Sequence, residues 1–263
     1  MIQIITHKAL HNCAKLDFCY LCGQPFENGR ETNRDHVPPK AIFLPGDRRN
    51  PLILPTHPGC NQSESVDDEL VSQLVSALHR ALPRPERQRL KFIVGLVKSD
   101  GEPIAFTANV DLGRIVWRWV RGFHAALYHE YLPKLVKWRV HPPFPSGRRD
   151  GEKLIRDPIL PQQTFVPEEI KKNRLARNLD VLKCCNGRCC YESVFVRADN
   201  GQPVCFWALR IYDWERLADP RWARSHGCIG AYVPPAGIPQ GASRGTKLDF
   251  PFPNSDPLDP FEE

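Results

Sequence analysis

Two short pairs of metal-binding side chains, Cys19-x-x-Cys22 and His57-x-x-Cys60, constrain this chain more than any other feature. Each pair offers both its donors from one tight loop. Two such loops closing on a single ion make a tetrahedral site with ligand bonds of about 2.0 to 2.3 Å, and three thiolates with one imidazole suit zinc. A site filled by four protein ligands leaves no position open for chemistry. The expectation is therefore a structural clasp that pins together two loops far apart along the chain.

The stretch from Cys19 to Asn61 reads CYLCGQPFENGRETNRDHVPPKAIFLPGDRRNPLILPTHPGCN; between the pairs it carries the doublet Asp35-His36 and, directly after the last ligand, Asn61. A clasp would draw these distant positions together. Asp35 is a hard oxygen donor, and magnesium or manganese held by one carboxylate, one amide oxygen and waters keeps positions open for a phosphate. His36 titrates near neutrality and is the natural base for a water molecule. Arg34 and Lys40 lie close enough in sequence to clamp a phosphate.

This order of residues resembles the HNH endonucleases, and within them the zinc-clasped branch that includes the phage junction-resolving endonuclease VII. The resemblance rests on Cys-x-x-Cys, then Asp-His, then a second ligand pair followed at once by Asn. It implies that Cys19, Cys22, His57 and Cys60 hold zinc, that Asp35 and Asn61 hold the catalytic divalent ion, and that His36 is the general base of phosphodiester hydrolysis leaving a 5′-phosphate. It also implies a ββα-metal module, with Phe18–Leu21 entering the first strand, His36–Leu44 carrying the second and Cys60-Asn61 opening the helix. His57 departs from the branch, which has a cysteine there; neutral imidazole is an ordinary zinc donor. Asn50 stands near the place of the family's loop-bracing asparagine.

The residues alone leave blander readings open behind that one. Asp35-His36 could be a surface doublet before Pro38-Pro39, or His36 could replace one clasp ligand, either of which makes the module a zinc-stabilised factor that binds nucleic acid or protein without catalysis. Redox work by Cys19 and Cys22 lacks the βαβ surroundings it needs.

At 263 residues and 41% apolar the chain can bury a sizeable core, and its net charge of +6 favours a polyanionic partner. Nucleic acid, DNA ahead of RNA, is the partner expected. Ten cysteines, several adjacent, and an opening without a signal-peptide pattern point to a reducing, cytoplasmic setting. No run approaches the ~18 apolar residues of a membrane span.

The fold class expected is α+β in four parts. Residues 1–82 form the clasped module and a following helix over Val66–Leu82, whose Val66, Leu70, Leu74 and Leu78 recur at core spacing. Residues 83–178 form a helical and mixed extension. The basic run Arg80 to Lys91 leads into it across that boundary, and a hairpin turned at Asp100-Gly101 follows. A helix follows from Asp111, with Leu112, Val116, Trp119, Phe123 and Leu127 on an apolar face and Arg114, Arg118 and Arg121 on another. That arginine stripe suits either a solvated face or a ridge against a phosphate backbone. Residues 140–166 read as an irregular connector, and a helix is expected from Pro167 to Asn178.

Residues 179–232 read as a small antiparallel β lobe turned at Asn186-Gly187 and Asn200-Gly201. In such a hairpin Cys184 faces Cys189, and the quartet Cys184, Cys185, Cys189 and Cys190 is expected to pack as reduced apolar groups, ahead of a second metal site with His226 or Cys228. Residues 233–263, rich in Pro and acids, read as an extended or disordered tail.

Overall fold

A computed structural model describes residues 1–27, 32–63, 65–78, 92–96, 103–107, 111–136, 138–141, 147–150, 153–156, 161–212 and 228–245. The order is β1 (Gln3–Ile4), α1 (His7–Cys13), β2 (Asn33–His36), β3 (Ile53–Thr56), α2 (Pro58–Ser63), α3 (Ser65–Leu78), β4 (Phe92–Leu96), β5 (Pro103–Thr107) and α4 (Leu112–Tyr128). There follow β6 (Trp138–His141), β7 (Gly147–Asp150), β8 (Lys153–Arg156), α5 (Pro161–Leu175), β9 (Asp180–Cys184), β10 (Cys189–Arg197), β11 (Pro203–Ile211) and β12 (Cys228–Tyr232). The chain is mixed α+β. Among the described residues no helix is long and apolar enough to cross a membrane.

A six-stranded sheet, ordered β1-β9-β10-β11-β12-β6, divides the molecule. Only β1 and β9 run parallel. Both faces are covered, so the long strands are buried on each side. Tyr191 and Phe195 of β10 join Trp207, Leu209 and Tyr232 in a core shared with α4, while Val194 and Val196 join Phe206, Ala208 and Ile229 under Val166 and Ile170 of α5. The alternation follows the two-residue period of a strand.

On the other side of α4 lies the N-terminal module, and α4 is the partition between it and the sheet. Every residue from Ile115 to Tyr128 is buried. Asp111 caps the helix, accepting from the Arg114 N–H at 2.9 Å, and His129 ends it in the left-handed region at φ 53°. One core cluster runs from Ile4 and Leu10 through Val37, Leu52 and Leu54 to α4 and the sheet. The expected separate module, extension and β lobe thus share one interior, because β1 and β6 complete the C-terminal sheet from earlier in the chain.

Several expectations are corrected. Phe18–Leu21 forms no regular strand, only a bridge of Phe18 with Pro25; the hairpin is β2 with β3, and residues 37–52 are a loop with two 3-10 turns. On α3 Val66 is 47% exposed while Asp67 and Val71 are buried, because arginines of α4 draw the acidic face inward. The connector over 140–166 contains the end of β6 and the β7–β8 hairpin. Helix α5 starts at Pro161, so Pro167 lies within it, held by the packing of Val166 and Ile170 on the sheet. Residues 233–245 of the expected tail pack on the sheet: Phe195 N–H donates to the Ser243 carbonyl at 2.9 Å and Gly245 N–H to the Phe195 carbonyl at 2.8 Å, extending the sheet beyond β9. The basic run between Arg80 and Lys91, His226, and residues 246–263 lie outside the described residues.

Candidate metal centre and the acidic-histidine strand

The first ligand loop is a knuckle. Cys19 N–H donates to the Gln24 carbonyl at 2.9 Å, and Gly23 N–H donates back to the Cys19 carbonyl at 2.7 Å. Gly23 takes φ +77°, and a Cβ there would meet the Tyr131 ring at 2.7 Å, so only glycine suits the turn. The second loop is the entry to α2: His57 precedes Pro58 in the helix's first position, and Cys60 follows one turn on. The ligand atoms of Cys19, Cys22, His57 and Cys60 all lie within 4.8 Å of one another, with Cys22 Sγ 3.3 Å from His57 Nδ1. Tetrahedral zinc with bonds of about 2.3 Å sets its donors about 3.8 Å apart. The four residues can therefore hold a metal ion such as zinc. Burial and the neighbouring thiols Cys19 and Cys22 push Cys60 up to about 12, the crowding that a divalent cation relieves by holding thiolates.

Arg121 secures the knuckle from behind. Its guanidinium, buried on α4, donates to the carbonyls of Tyr20 at 3.3 Å, Leu21 at 2.6 Å and Leu132 at 2.8 Å. Arg118, also buried, pairs with Asp68 of α3, and the half-exposed Arg114 reaches Asp67 at 2.7 Å. The reading of Arg114, Arg118 and Arg121 as a phosphate ridge is corrected here. Arg118 and Arg121 are 4% and 5% exposed and hold protein groups, and Arg114 is engaged by an acid of α3. A helix enclosed on both sides has no free face for a backbone ridge.

Asp35 and His36 end β2, whose partner β3 leads into α2, so the doublet and Asn61 sit on packed neighbours. Asp35 is 4% exposed and accepts from the Tyr20 hydroxyl. Burial raises its carboxyl above the ordinary value, against the pull of Arg118. His36 is half-buried, and burial with the charges of Lys40 and Arg34 lowers its pKa, keeping the imidazole neutral at pH 7. Arg34 and Lys40 themselves are exposed. Asn61 is half-buried, its N–H closing a helical turn on the His57 carbonyl at 3.1 Å. Asn50 is exposed at φ 54°, its carbonyl accepting from Cys185 N–H at 2.9 Å.

Sequence reasoning missed Tyr20. Lying inside the Cys-x-x-Cys loop, it links the knuckle to Asp35, and nothing in the spacing marks it. Arg118 was singled out for its charge, but its role beside Tyr20 and Asp35 depends on α4 crossing the module. Comparison of the chain with family models, with curated proteins and with solved structures finds no match.

Proposed function

We propose that the chain is a metal-dependent endonuclease of the HNH kind that hydrolyses phosphodiester bonds in nucleic acid, with DNA as its substrate. The observation that carries this reading is the convergence of the four clasp donors, which joins the Cys19–Cys22 knuckle to the start of the helix bearing Asn61, while the β2–β3 ladder sets the strand ending in Asp35-His36 beside that helix. The strands are β2 and β3, not the two that the resemblance implies, but they too lead into a short helix that carries Asn61. The neutral state of His36 supports its role as base, since only the unprotonated imidazole accepts a proton from water.

The oxygen donors Asp35 and Asn61 fit a hard ion, magnesium or manganese, which when bound would supply positive charge to the phosphate and the departing 3′ oxygen. The Tyr20 hydroxyl on Asp35 is the kind of outer hydrogen bond that fixes a ligating carboxylate. His36 takes the proton of the attacking water. The exposed cations Arg34 and Lys40 beside it hold the substrate phosphate.

Zinc-loaded protein is expected to break plasmid DNA on addition of magnesium or manganese. His36→Ala is expected to lower the rate by about 10²- to 10⁴-fold, with zinc content and Tm unchanged. Loss of zinc from that variant would make His36 a clasp ligand and end the enzyme reading. One observation favours a second reading: the near-complete burial of Asp35 against Tyr20 suits a purely structural carboxylate. The chain is then a zinc-stabilised nucleic-acid-binding factor, and the wild type shows salt-sensitive DNA binding with no metal-dependent breaks.

A further inference from the structure

The four ligands of the clasp are unequally covered. Cys19 is fully buried, whereas Cys22, His57 and Cys60 are partly exposed. Cys22 and Cys60 belong to separate loops, the knuckle and the first turn of α2, and their sulfurs lie within 4.8 Å of each other. Three thiolates outweigh the two charges of a zinc ion, so the loaded clasp stays net negative and its sulfurs stay nucleophilic. An oxidant selects among cysteines by thiolate character and by exposure. On both grounds this pair stands apart. Every cysteine outside the clasp is buried, and burial raises the thiols of Cys13, Cys189, Cys205 and Cys228 above the ordinary value, which keeps them protonated.

We propose that Cys22 and Cys60 form a peroxide-sensitive pair that gives up the zinc ion and closes into a disulfide; this rests on the clasp holding zinc and not on hydrolysis. One of the two thiolates attacks an oxygen of hydrogen peroxide; the O–O bond breaks, hydroxide leaves, and the sulfur becomes a sulfenic acid. The other thiolate attacks that sulfur, the S–O bond breaks, a second hydroxide leaves and the S–S bond forms. The sulfur pair loses two electrons, the peroxide gains them, and both hydroxides take protons from solvent to become water. The ion keeps only Cys19 and His57 and is released. A dithiol reduces the bond by exchange, and zinc can return. Cys19 with Cys22 would close within the knuckle and cut its tie to α2, whereas Cys22 with Cys60 renews that tie as a covalent bond. An S–S bond of about 2.05 Å replaces donors that zinc sets about 3.8 Å apart, so the entry of α2 is drawn toward the knuckle by about 2 Å. Arg121 keeps the knuckle main chain in place through the carbonyls of Tyr20 and Leu21, so α2, which carries Asn61, takes up the movement.

The test treats the zinc-loaded full chain with a small excess of hydrogen peroxide, follows released zinc with a coloured chelator, and maps disulfides by mass spectrometry of unreduced peptides. One zinc per chain is expected to leave as two thiols are lost, with Cys22 linked to Cys60, and a dithiol with added zinc should restore both. The oxidised chain should still unfold cooperatively in urea, since the new bond spans the same two loops. Cys60→His keeps four zinc donors but removes one sulfur of the pair, and should slow peroxide-driven release about tenfold or more. A link between Cys19 and Cys22 overturns the proposal, as does a link among the hairpin cysteines that forms before zinc leaves, or zinc that stays bound at full stoichiometry. Release from Cys60→His at the wild-type rate overturns it too; should that variant take up no zinc, the wild-type map decides. A wild type that binds no zinc sinks the clasp and this pair together, whereas zinc-loaded protein that resists peroxide sinks the pair and leaves the nuclease reading standing.

Discussion

At Cys19, Cys22 and Cys60 the thiols turn toward a point shared with the His57 ring, whereas Cys184 and Cys189 face each other across a β ladder with Cys185 beside them in the turn, and Cys190 is turned to the opposite face. The difference is one of backbone. In the knuckle, Gly23 at φ +77° reverses the chain so that both sulfurs of one loop face one side. In the hairpin, Cys184 stands opposite Cys189, and successive residues alternate faces, so Cys189 points to one core and Cys190 to the side of Arg210, 3.5 Å away. Among the described residues only the first group could hold a metal ion. Burial raises Cys189 and Cys190 above the ordinary thiol value, so these side chains stay protonated and behave as small apolar groups. Equal cysteine content therefore gives one site with ligand geometry and one piece of core.

The largest effect that would break this contrast is on the clasp. Cys60→Ser is expected to abolish stoichiometric zinc binding and to destabilise the chain by on the order of 5 kcal/mol. That is less than the roughly 10–16 kcal/mol of zinc-finger peptides, because here α4 and the sheet supply a core of their own. Metal analysis and urea unfolding measure it; a variant that keeps one zinc per chain, or unfolds with the wild type, would contradict the clasp. Next comes the support of the knuckle. Arg121→Met strips hydrogen bonds from three carbonyls and should cost about 3 kcal/mol or more, with faster loss of zinc to a chelator. Arg121→Lys should recover only part, since an ammonium lacks the planar fork that spans the three acceptors.

The clasp was legible because its ligand types and spacing are local. Cys-x-x-Cys-Gly specifies its own turn, and the facing of Cys184 and Cys189 follows from Asn186 and Gly187 at φ 56° and 77°. The Asp150-Gly151 step held the same kind of hairpin signal for β7 and β8, but the prolines and charges around it masked it. What could not be read locally was the position of α4. Its apolar stripe and its arginines suggested one buried and one wet face, yet the sheet lies on one side and the clasped module on the other. Asp67 and Asp68 decide that outcome by offering carboxylates from another helix. The same holds for the tail, where the docking of Ser243 depends on Asp180, a fully buried carboxylate that also accepts from Ile2 N–H and the Tyr128 hydroxyl.

Acid should strike the two regions by different routes. On the sheet side, His124 is fully buried with its Nδ1 2.7 Å from the Tyr232 hydroxyl, and burial lowers its pKa to about 3. The unfolded chain takes up this proton near pH 6.5 and the folded chain only near 3, so stability falls as pH drops through that window, by about 1.4 kcal/mol per unit. At pH 5 the loss from this group is about 2 kcal/mol relative to neutral pH. His124→Gln should remove that share of the pH dependence, compared by urea unfolding at pH 7 and pH 5 with zinc content followed in parallel. An equal acid loss in the variant while zinc stays bound would assign the effect elsewhere.

The smallest effect is the sharpest test of the contrast itself. Cys189→Ala trims one sulfur from the core and with it the thiol contact to Cys184, leaving no charge behind, so about 1 kcal/mol of stability is at stake. Its zinc content should match the wild type at one per chain, because the hairpin thiols contribute nothing to the ion. A drop from two zinc ions to one in this variant would show that the β ladder does gather its sulfurs around a metal. The alternation argument would then fail at the place where it is applied most directly, since Cys184 and Cys189 are the one pair of the quartet that the ladder sets face to face.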